Sequence, residues 1–263
     1  MKNRKYVIIS GANSGLGKSL AENFLKDGDH VLLLFRKKIN KSYFLKFKNK
    51  KQILIFYKLD LINRNEIKKF ILFLKSNFKY ANVLINNAAD IGPMGLFHIN
   101  NFTKWSNNIL INLVNTAFLI QKIIPIFIKK KSFIVNISGG GSTKYREFFS
   151  AYSVSKTGIV RLTENLSKEY SKTMIKFFAI SPGVMKTKMF FKTNLKKYVK
   201  NKSKTLSFTE PKNNYELIKL LLNEKGSKLS GKLFSVKWDN WNSQVFIKKV
   251  KANQELLTLR RKI

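Results

Sequence analysis

The chain has 263 residues, 44% hydrophobic and 13% aromatic, enough apolar material to fill one core of this size and to exclude intrinsic disorder. Its 51 basic and 14 acidic residues leave a formal charge of +37. With no cysteine and only two histidines, it excludes disulfide frameworks, thiolate zinc sites and cysteine nucleophiles, and no metal site is expected. Of the basic residues 44 are lysines scattered along the chain, and Asn, Ile and Phe are abundant, a composition that leans towards AT-rich codons. Scattered lysine with scarce arginine reads as solvated surface with weak, salt-sensitive attraction for anions, so no specific nucleic-acid partner is expected.

In chain order, short β-branched and apolar runs alternate with helical patterns. Tyr6–Ser10, Val31–Phe35, Ile53–Leu59, Val83–Asn86, Phe133–Ser138 and Ile175–Ser181 read as buried strands, with Leu233–Val236 a weaker seventh. Continuous apolar runs are what a parallel sheet covered on both faces requires. Helices are predicted over about Leu16–Lys26, Arg64–Phe78, Phe102–Lys129, Ser150–Tyr170 and Asn213–Asn223. The alternation predicts an α/β fold: a single-domain, Rossmann-type, doubly wound parallel sheet of about seven strands with helices on both faces. Residues 1–241 are expected to form this domain, and 242–263 a basic, partly helical extension packed on it. Met185–Thr209 is lysine-rich and poorly periodic, and reads as a loop. The start, MKNRKYVIIS, has too short an apolar run for a signal peptide, and Ala117–Ile128 is interrupted by Gln121, Lys122 and Pro125. No membrane span and a cytoplasmic location are expected, since no apolar run approaches about 18 residues.

Ser10-Gly11-Ala12-Asn13-Ser14-Gly15-Leu16-Gly17 follows the first strand and opens the first helix. Glycines there allow a tight turn and close backbone approach, so that helix N-terminal amides can face a pyrophosphate. That makes residues 1–241 a candidate dinucleotide-binding domain. Asp60, ending the third strand beside Leu61, could accept a hydrogen bond from an adenine amino group or cap the helix that follows. NAD binders place an acid at the end of the second strand to hold the ribose 2′-hydroxyl. Here that end reads Leu34-Phe35-Arg36-Lys37-Lys38, and a guanidinium suits a 2′-phosphate, so NADP is the expected cofactor, with NAD the alternative.

Tyr152 and Lys156 lie four apart at the start of a predicted helix, on one face. A tyrosine has a pKa near ~10, so as an acid–base at neutral pH it needs a stabilised phenolate, which a nearby ammonium provides.

Together these residues match a family. The turn at Ser10–Gly17, Asp60, Asn86-Asn87-Ala88-Ala89, Asn112, Ser138, Tyr152 with Lys156, and Pro182-Gly183-Val184-Met185-Lys186-Thr187 stand in the order and spacing of the short-chain dehydrogenases/reductases. The Gly-x-x-x-Gly-x-Gly form resembles the compact single-domain subgroup, and the likeness runs from residue 5 to about 241. The resemblance implies an NAD(P)-dependent oxidoreductase that moves a hydride between a nicotinamide and a carbonyl or alcohol. It casts Tyr152 as acid–base and Lys156 as the residue that lowers its pKa and holds the nicotinamide ribose. It casts Ser138 as the donor to the substrate carbonyl and Asn112 as the anchor of a water in the proton relay. Gly11, Asn13, Ser14, Gly15, Leu16, Gly17, Arg36, Asp60, Leu61, Asn87 and Ala88 would hold the adenosine side. Pro182, Gly183, Val184 and Thr187 would hold the carboxamide side.

The chain departs from the family in three places. Ala89 replaces the last glycine of the Asn-Asn-Ala-Gly motif. The family's serine commonly lies thirteen residues before the tyrosine, where this chain has Gly139; Ser138 lies fourteen before, with Ser142 the second candidate. Gly231 to Trp241 and the final Leu259-Arg260-Arg261 extend past the usual end and resemble a subgroup that includes surface-carbohydrate enzymes, which allows a sugar-like substrate. Trp238 and Trp241 could stack on a sugar or fill the core edge. The long helix Phe102–Lys129 implies, by the same resemblance, a homodimer or homotetramer. A non-catalytic dinucleotide-binding sensor or scaffold of the same fold is the alternative function.

Overall fold

The computed structural model describes residues 4–193, 207–223 and 228–261. Seven strands, β1 (Tyr6–Ser10), β2 (His30–Phe35), β3 (Leu54–Lys58), β4 (Val83–Asn86), β5 (Ser132–Ile137), β6 (Ile175–Ser181) and β7 (Leu233–Ser235), form one sheet. All pairings are parallel, in the order β3-β2-β1-β4-β5-β6-β7. The order reverses beside β1, where Ile8 lies opposite Leu32 on one side and Leu84 on the other. In such sheets a crevice opens past the carboxyl ends of the strands at that reversal.

Both faces of the sheet are apolar, which is why the strands read as unbroken apolar runs rather than alternating ones. Val7, Ile9, Val31, Leu33, Val83 and Ile85 face α1 (Gly15–Lys26) and α8 (Pro211–Leu221). Ile8, Leu32, Leu84 and Ile134 face α3 (Arg64–Asn77), α5 (Asn115–Phe127) and α6 (Ser150–Glu169). Asn63 starts α3 by accepting the amides of Asn65 and Glu66, and the Glu66 carboxylate reaches back to the Asp60 amide.

The long helix expected over Phe102–Lys129 has three parts: α4 (Phe102–Ile109), a π turn (Leu110–Val114) and α5. By length and composition alone Phe102–Phe127 could cross a membrane, with a mean hydropathy of 1.7. Its Leu119, Ile120, Ile123 and Phe127 are instead buried on the sheet. The short helices α2 (Lys41–Leu45) and α7 (Lys188–Lys192) were not expected, each being little more than one turn. The loop expected over Met185–Thr209 contains α7, and its residues 194–206 lie outside the described residues.

After β7 the chain turns through Trp241, which is buried and donates Nε1–H to the Val236 carbonyl, while Trp238 is 79% exposed. The two tryptophans therefore part: one fills the core edge and the other faces solvent. The tail forms α9 (Gln244–Ala252) and returns along β7, where the Leu233 amide donates to the Leu257 carbonyl at 2.8 Å. Lys232 Nζ, itself buried, donates to the carbonyls of Asn253, Gln254 and Leu256. The last strand thus has no bare edge at this point.

Candidate active site

The glycine turn is held by sterics and by one asparagine. Gly11 has φ +67, and a Cβ there would stand 2.8 Å from Ala88 Cα. A Cβ at Gly17 would come within 2.5 Å of both Asn87 Nδ2 and the Gly11 carbonyl. Asn87 donates its side-chain amide to the carbonyls of Ser10 and Gly11, and Ser10 Oγ accepts the amides of Asn87 and Ala88. These bonds tie the ends of β1 and β4 together across the crevice. Ser14 is the N-cap of α1 but makes no side-chain cap bond, so no side chain of the cap occupies the first amides of the helix. Asn13 lies in the turn and Leu16 is buried beneath it. An open helix N-terminus approached by bare glycine backbone suits an anionic pyrophosphate.

The 182–187 segment reaches the same turn. Thr187 starts α7, accepting the Phe190 amide, and its Cγ2 stands 3.2 Å from where a Gly15 Cβ would be. Gly183 has φ +78 and is backed by Thr209, whose amide donates to the Val184 carbonyl at 2.7 Å. Asn214 donates to the Pro182 carbonyl. Motifs about 170 residues apart in sequence thus meet over one helix start.

Arg36 is exposed at the end of β2 and lines a cleft of about 580 Å³ with Ile62, Asp90, Asn107 and Ile111. Asp60 does not cap α3; its carboxylate accepts the Ile62 amide two residues on. Asn115 of α5 donates to the Leu61 and Ile62 carbonyls and accepts from Arg64 Nε, which fixes this loop at the cleft's edge.

Asn112, 2% exposed, sits in the π turn. Its Oδ1 accepts the Asp90 amide at 2.8 Å, and its Nδ2 donates to the Asp90 carbonyl, Asn108 Oδ1 and Ser155 Oγ. Asn108 donates to the same Asp90 carbonyl at 2.7 Å. The side chain expected to anchor a water is engaged in clamping the loop after β4 onto α6.

Tyr152 and Lys156 are both buried on the first turns of α6. Lys156 Nζ lies 5.7 Å from the Tyr152 ring centre and donates to the Ile137 carbonyl at 2.8 Å. Burial lowers the pKa of Lys156 to about 8. Burial raises that of Tyr152, and the charge that opposes this rise is the guanidinium of Arg146.

The serine departs from expectation. Ser138 Oγ donates to the Lys156 main-chain carbonyl at 3.3 Å, inside the packing of β5 against α6. The Tyr152 hydroxyl instead abuts Gly139, where a Cβ would overlap it. With no side chain at 139 the phenol closes onto the backbone, and the structure does not bring the Ser138 hydroxyl to it. Ser142 is buried, its carbonyl accepting from Thr157 Oγ1.

Sequence reasoning missed Arg146, Asp90 and Asn108. Asn108 and Asn112, with Asn115, form a stripe at i, i+4 and i+7 on an otherwise apolar helix, a signal that was readable. A lone arginine in a loop of so basic a chain carries no such signal.

Residues 5–197 match the family model for short chain dehydrogenases. The chain belongs to this family. Among curated relatives, a diacetyl reductase, (S)-acetoin forming, of Staphylococcus epidermidis is 31% identical over 192 residues, 71% of this chain and 73% of that protein. A 3-oxoacyl-acyl-carrier-protein reductase of Buchnera aphidicola is 31% identical over 194 residues, 71% of this chain and 76% of that protein. Among solved structures, a 4-hydroxyisoleucine dehydrogenase complexed with NADH is 26% identical, with a TM-score of 0.75 over 88% of this chain and 96% of that one. An actinorhodin polyketide ketoreductase with NADPH, 20% identical, shares the fold at a TM-score of 0.80, covering 92% of this chain and 99% of that one. This short-chain dehydrogenase is an NAD(P)-dependent oxidoreductase of the hydride-transfer class.

Proposed function

We propose that this dehydrogenase interconverts a carbonyl and an alcohol, with Tyr152 as the acid–base. The observation that carries the reading is the burial of Tyr152 and Lys156 on one face of α6, with the Tyr152 hydroxyl against Gly139 and Lys156 Nζ on the Ile137 carbonyl at the carboxyl end of β5. A nicotinamide dinucleotide, when bound, supplies the hydride for reduction or receives it in oxidation. The chain's own part is the proton. The Tyr152 hydroxyl donates it to the carbonyl oxygen as the carbonyl carbon becomes an alcohol carbon, and retrieves it in the reverse direction. Burial keeps that phenol protonated at neutral pH, the form that reduction needs. Lys156 and Arg146 are the cations beside it, and each favours the phenolate left behind. Ser138, bonded to the α6 main chain, positions the helix that carries both, and Asn112 does the same for the loop at Asp90.

Gly11, Asn13, Ser14, Gly15, Leu16 and Gly17 would hold the pyrophosphate, with Asn87 and Ala88 behind it. Asp60 and Leu61 would border the adenine, while Pro182, Gly183, Val184 and Thr187 would border the carboxamide. We assign NADP ahead of NAD because Arg36 lines the cleft at the end of β2, where an NAD site would hold an acid. The relatives' names, a diacetyl reductase, a 3-oxoacyl reductase and a 4-hydroxyisoleucine dehydrogenase, support the carbonyl–alcohol class. Exposed Leu96, Phe97, Ile99 and Phe102 at the start of α4 are the face we assign to a second copy of the chain.

Tyr152→Phe tests the proposal. Turnover is expected to fall about 100- to 10,000-fold, the range a positioned acid–base contributes, while NADPH still binds. Unchanged turnover would overturn the role of Tyr152.

A further inference from the structure

The loop between β5 and α6 carries a second cation near the proposed acid–base, Arg146, in addition to Lys156. The Arg146 guanidinium lies 3.9 Å from the centre of the Phe149 ring. Its Nη1 stands 3.8 Å from where a Gly140 Cβ would be, one residue along from the glycine that the Tyr152 hydroxyl abuts. Phe149 packs with Tyr152 and Ile91, and Met94, Phe148 and Met189 rim the group. The arginine therefore borders the apolar group that packs around the proposed acid–base.

Among the described residues no carboxylate forms an ion pair with Arg146; the arginine pairs are those of Arg161 and Arg260. Withdrawing a charge from water is costly unless an opposite charge answers it. Burial works against the guanidinium charge here, and Tyr152 is the group that supports it. Yet a tyrosine is neutral at pH 7, and burial only raises the Tyr152 pKa further, so a phenolate is not the standing partner. What the arginine lacks is an anion arriving from outside.

We propose that Arg146 receives a carboxylate of the substrate, which makes the reacting group the carbonyl of a short oxo acid or the hydroxyl of the matching hydroxy acid. The inference rests on the carbonyl–alcohol reading above. A planar guanidinium matches a carboxylate through two parallel hydrogen bonds, and its stacking on Phe149 fixes the plane in which it offers them. One cation among Ile91, Met94 and Met189 suits a single negative charge on a small, otherwise apolar chain. The Tyr152 hydroxyl and Arg146 Nη1 lie near the Cβ positions of neighbouring residues, Gly139 and Gly140, which favours a short substrate reaching both.

The test compares acetoacetate with methyl acetoacetate, and 2-oxobutanoate with its methyl ester, as substrates of the full-length enzyme with NADPH. The acid of at least one pair is expected to exceed its ester in kcat/KM by about 100-fold, the loss typical when a buried charge partner is removed. In Arg146→Gln that ratio collapses, mainly through the KM of the acid, and Arg146→Lys restores part of it. Equal rates for acid and ester in the wild type, or an equal loss for both in Arg146→Gln, would overturn the proposal. If Arg146→Gln does not fold, the wild-type ratio and the Arg146→Lys variant decide. If nothing turns over, binding of the same acids to the enzyme–NADPH complex is read by cofactor fluorescence. Saturable binding that weakens in the Arg146 variant would then support the arginine while counting against the catalytic reading. Its absence would overturn the arginine's role.

Discussion

The two halves of the crevice are built differently. On the cofactor side, the turn at residues 10–17 is defined by where side chains cannot be: Cβ atoms at Gly11 or Gly17 would collide with backbone atoms or with Asn87. Ser10 and Asn87 there are paired with main-chain partners. On the substrate side Gly139 and Gly141 are crowded by the side chains of Tyr152 and Ser153 rather than by backbone, Gly140 has only Arg146 Nη1 near its Cβ position, at 3.8 Å, and Arg146 has no carboxylate partner among the described residues. A nucleotide common to many reactions can be held by backbone geometry, whereas a particular substrate is met by side chains with room to vary.

Substituting glycines breaks this contrast most directly. Gly17→Val pushes a branched side chain against Asn87 and Gly11, a cost of about 1–3 kcal/mol, and NADPH affinity is expected to fall roughly 10- to 100-fold by titration. Gly15→Ala combines φ +53 with a contact 3.2 Å from Thr187 Cγ2, and is expected to destabilise by about 1 kcal/mol in chemical denaturation. Gly140→Ala, in the substrate half, is expected to change stability by less than about 0.5 kcal/mol. Equal losses in the two halves would erase the distinction.

The same contrast has a slope in pH. The folded-state pKa of Lys156 is about 8, below the ordinary value of 10.5, because the ammonium is buried. Between these values the unfolded chain binds more protons than the folded one, so this group's contribution to stability rises with pH. The penalty of burying its charge is full below about pH 8 and is relieved towards pH 10.5. Denaturation of wild type and Lys156→Met across that range should therefore show wild type gaining on the variant as pH rises. A pH-independent difference would mean that Lys156 is not desolvated in the folded protein.

The contrast also explains what could be read from the sequence. The strands were legible because a parallel sheet buried on both faces demands unbroken apolar runs, and the glycine turn because its sterics admit no other residue. The meeting of Thr187 with Gly15 was not read from the sequence, where the resemblance only put both residues at the cofactor. The contact of Ser138 was not legible: whether its hydroxyl meets Tyr152 or the α6 backbone depends on one residue of register and on the missing side chain at Gly139. Of the two roles open to Asp60, the cap of α3 falls to Asn63 instead. Arg146 was invisible because its meaning lies in packing, the guanidinium over the Phe149 ring and unpaired with any carboxylate among the described residues, which the string Arg146-Glu147-Phe148-Phe149 does not reveal.

The central claim, that the turn at residues 10–17 with Arg36 beside it is a working NADP site, is tested most directly by fluorescence titration of the protein with NADPH and with NADH at moderate salt. Saturable binding of both, tighter for NADPH, is the predicted result. Binding of neither would contradict the account at its base, and tighter NADH would remove Arg36 from it.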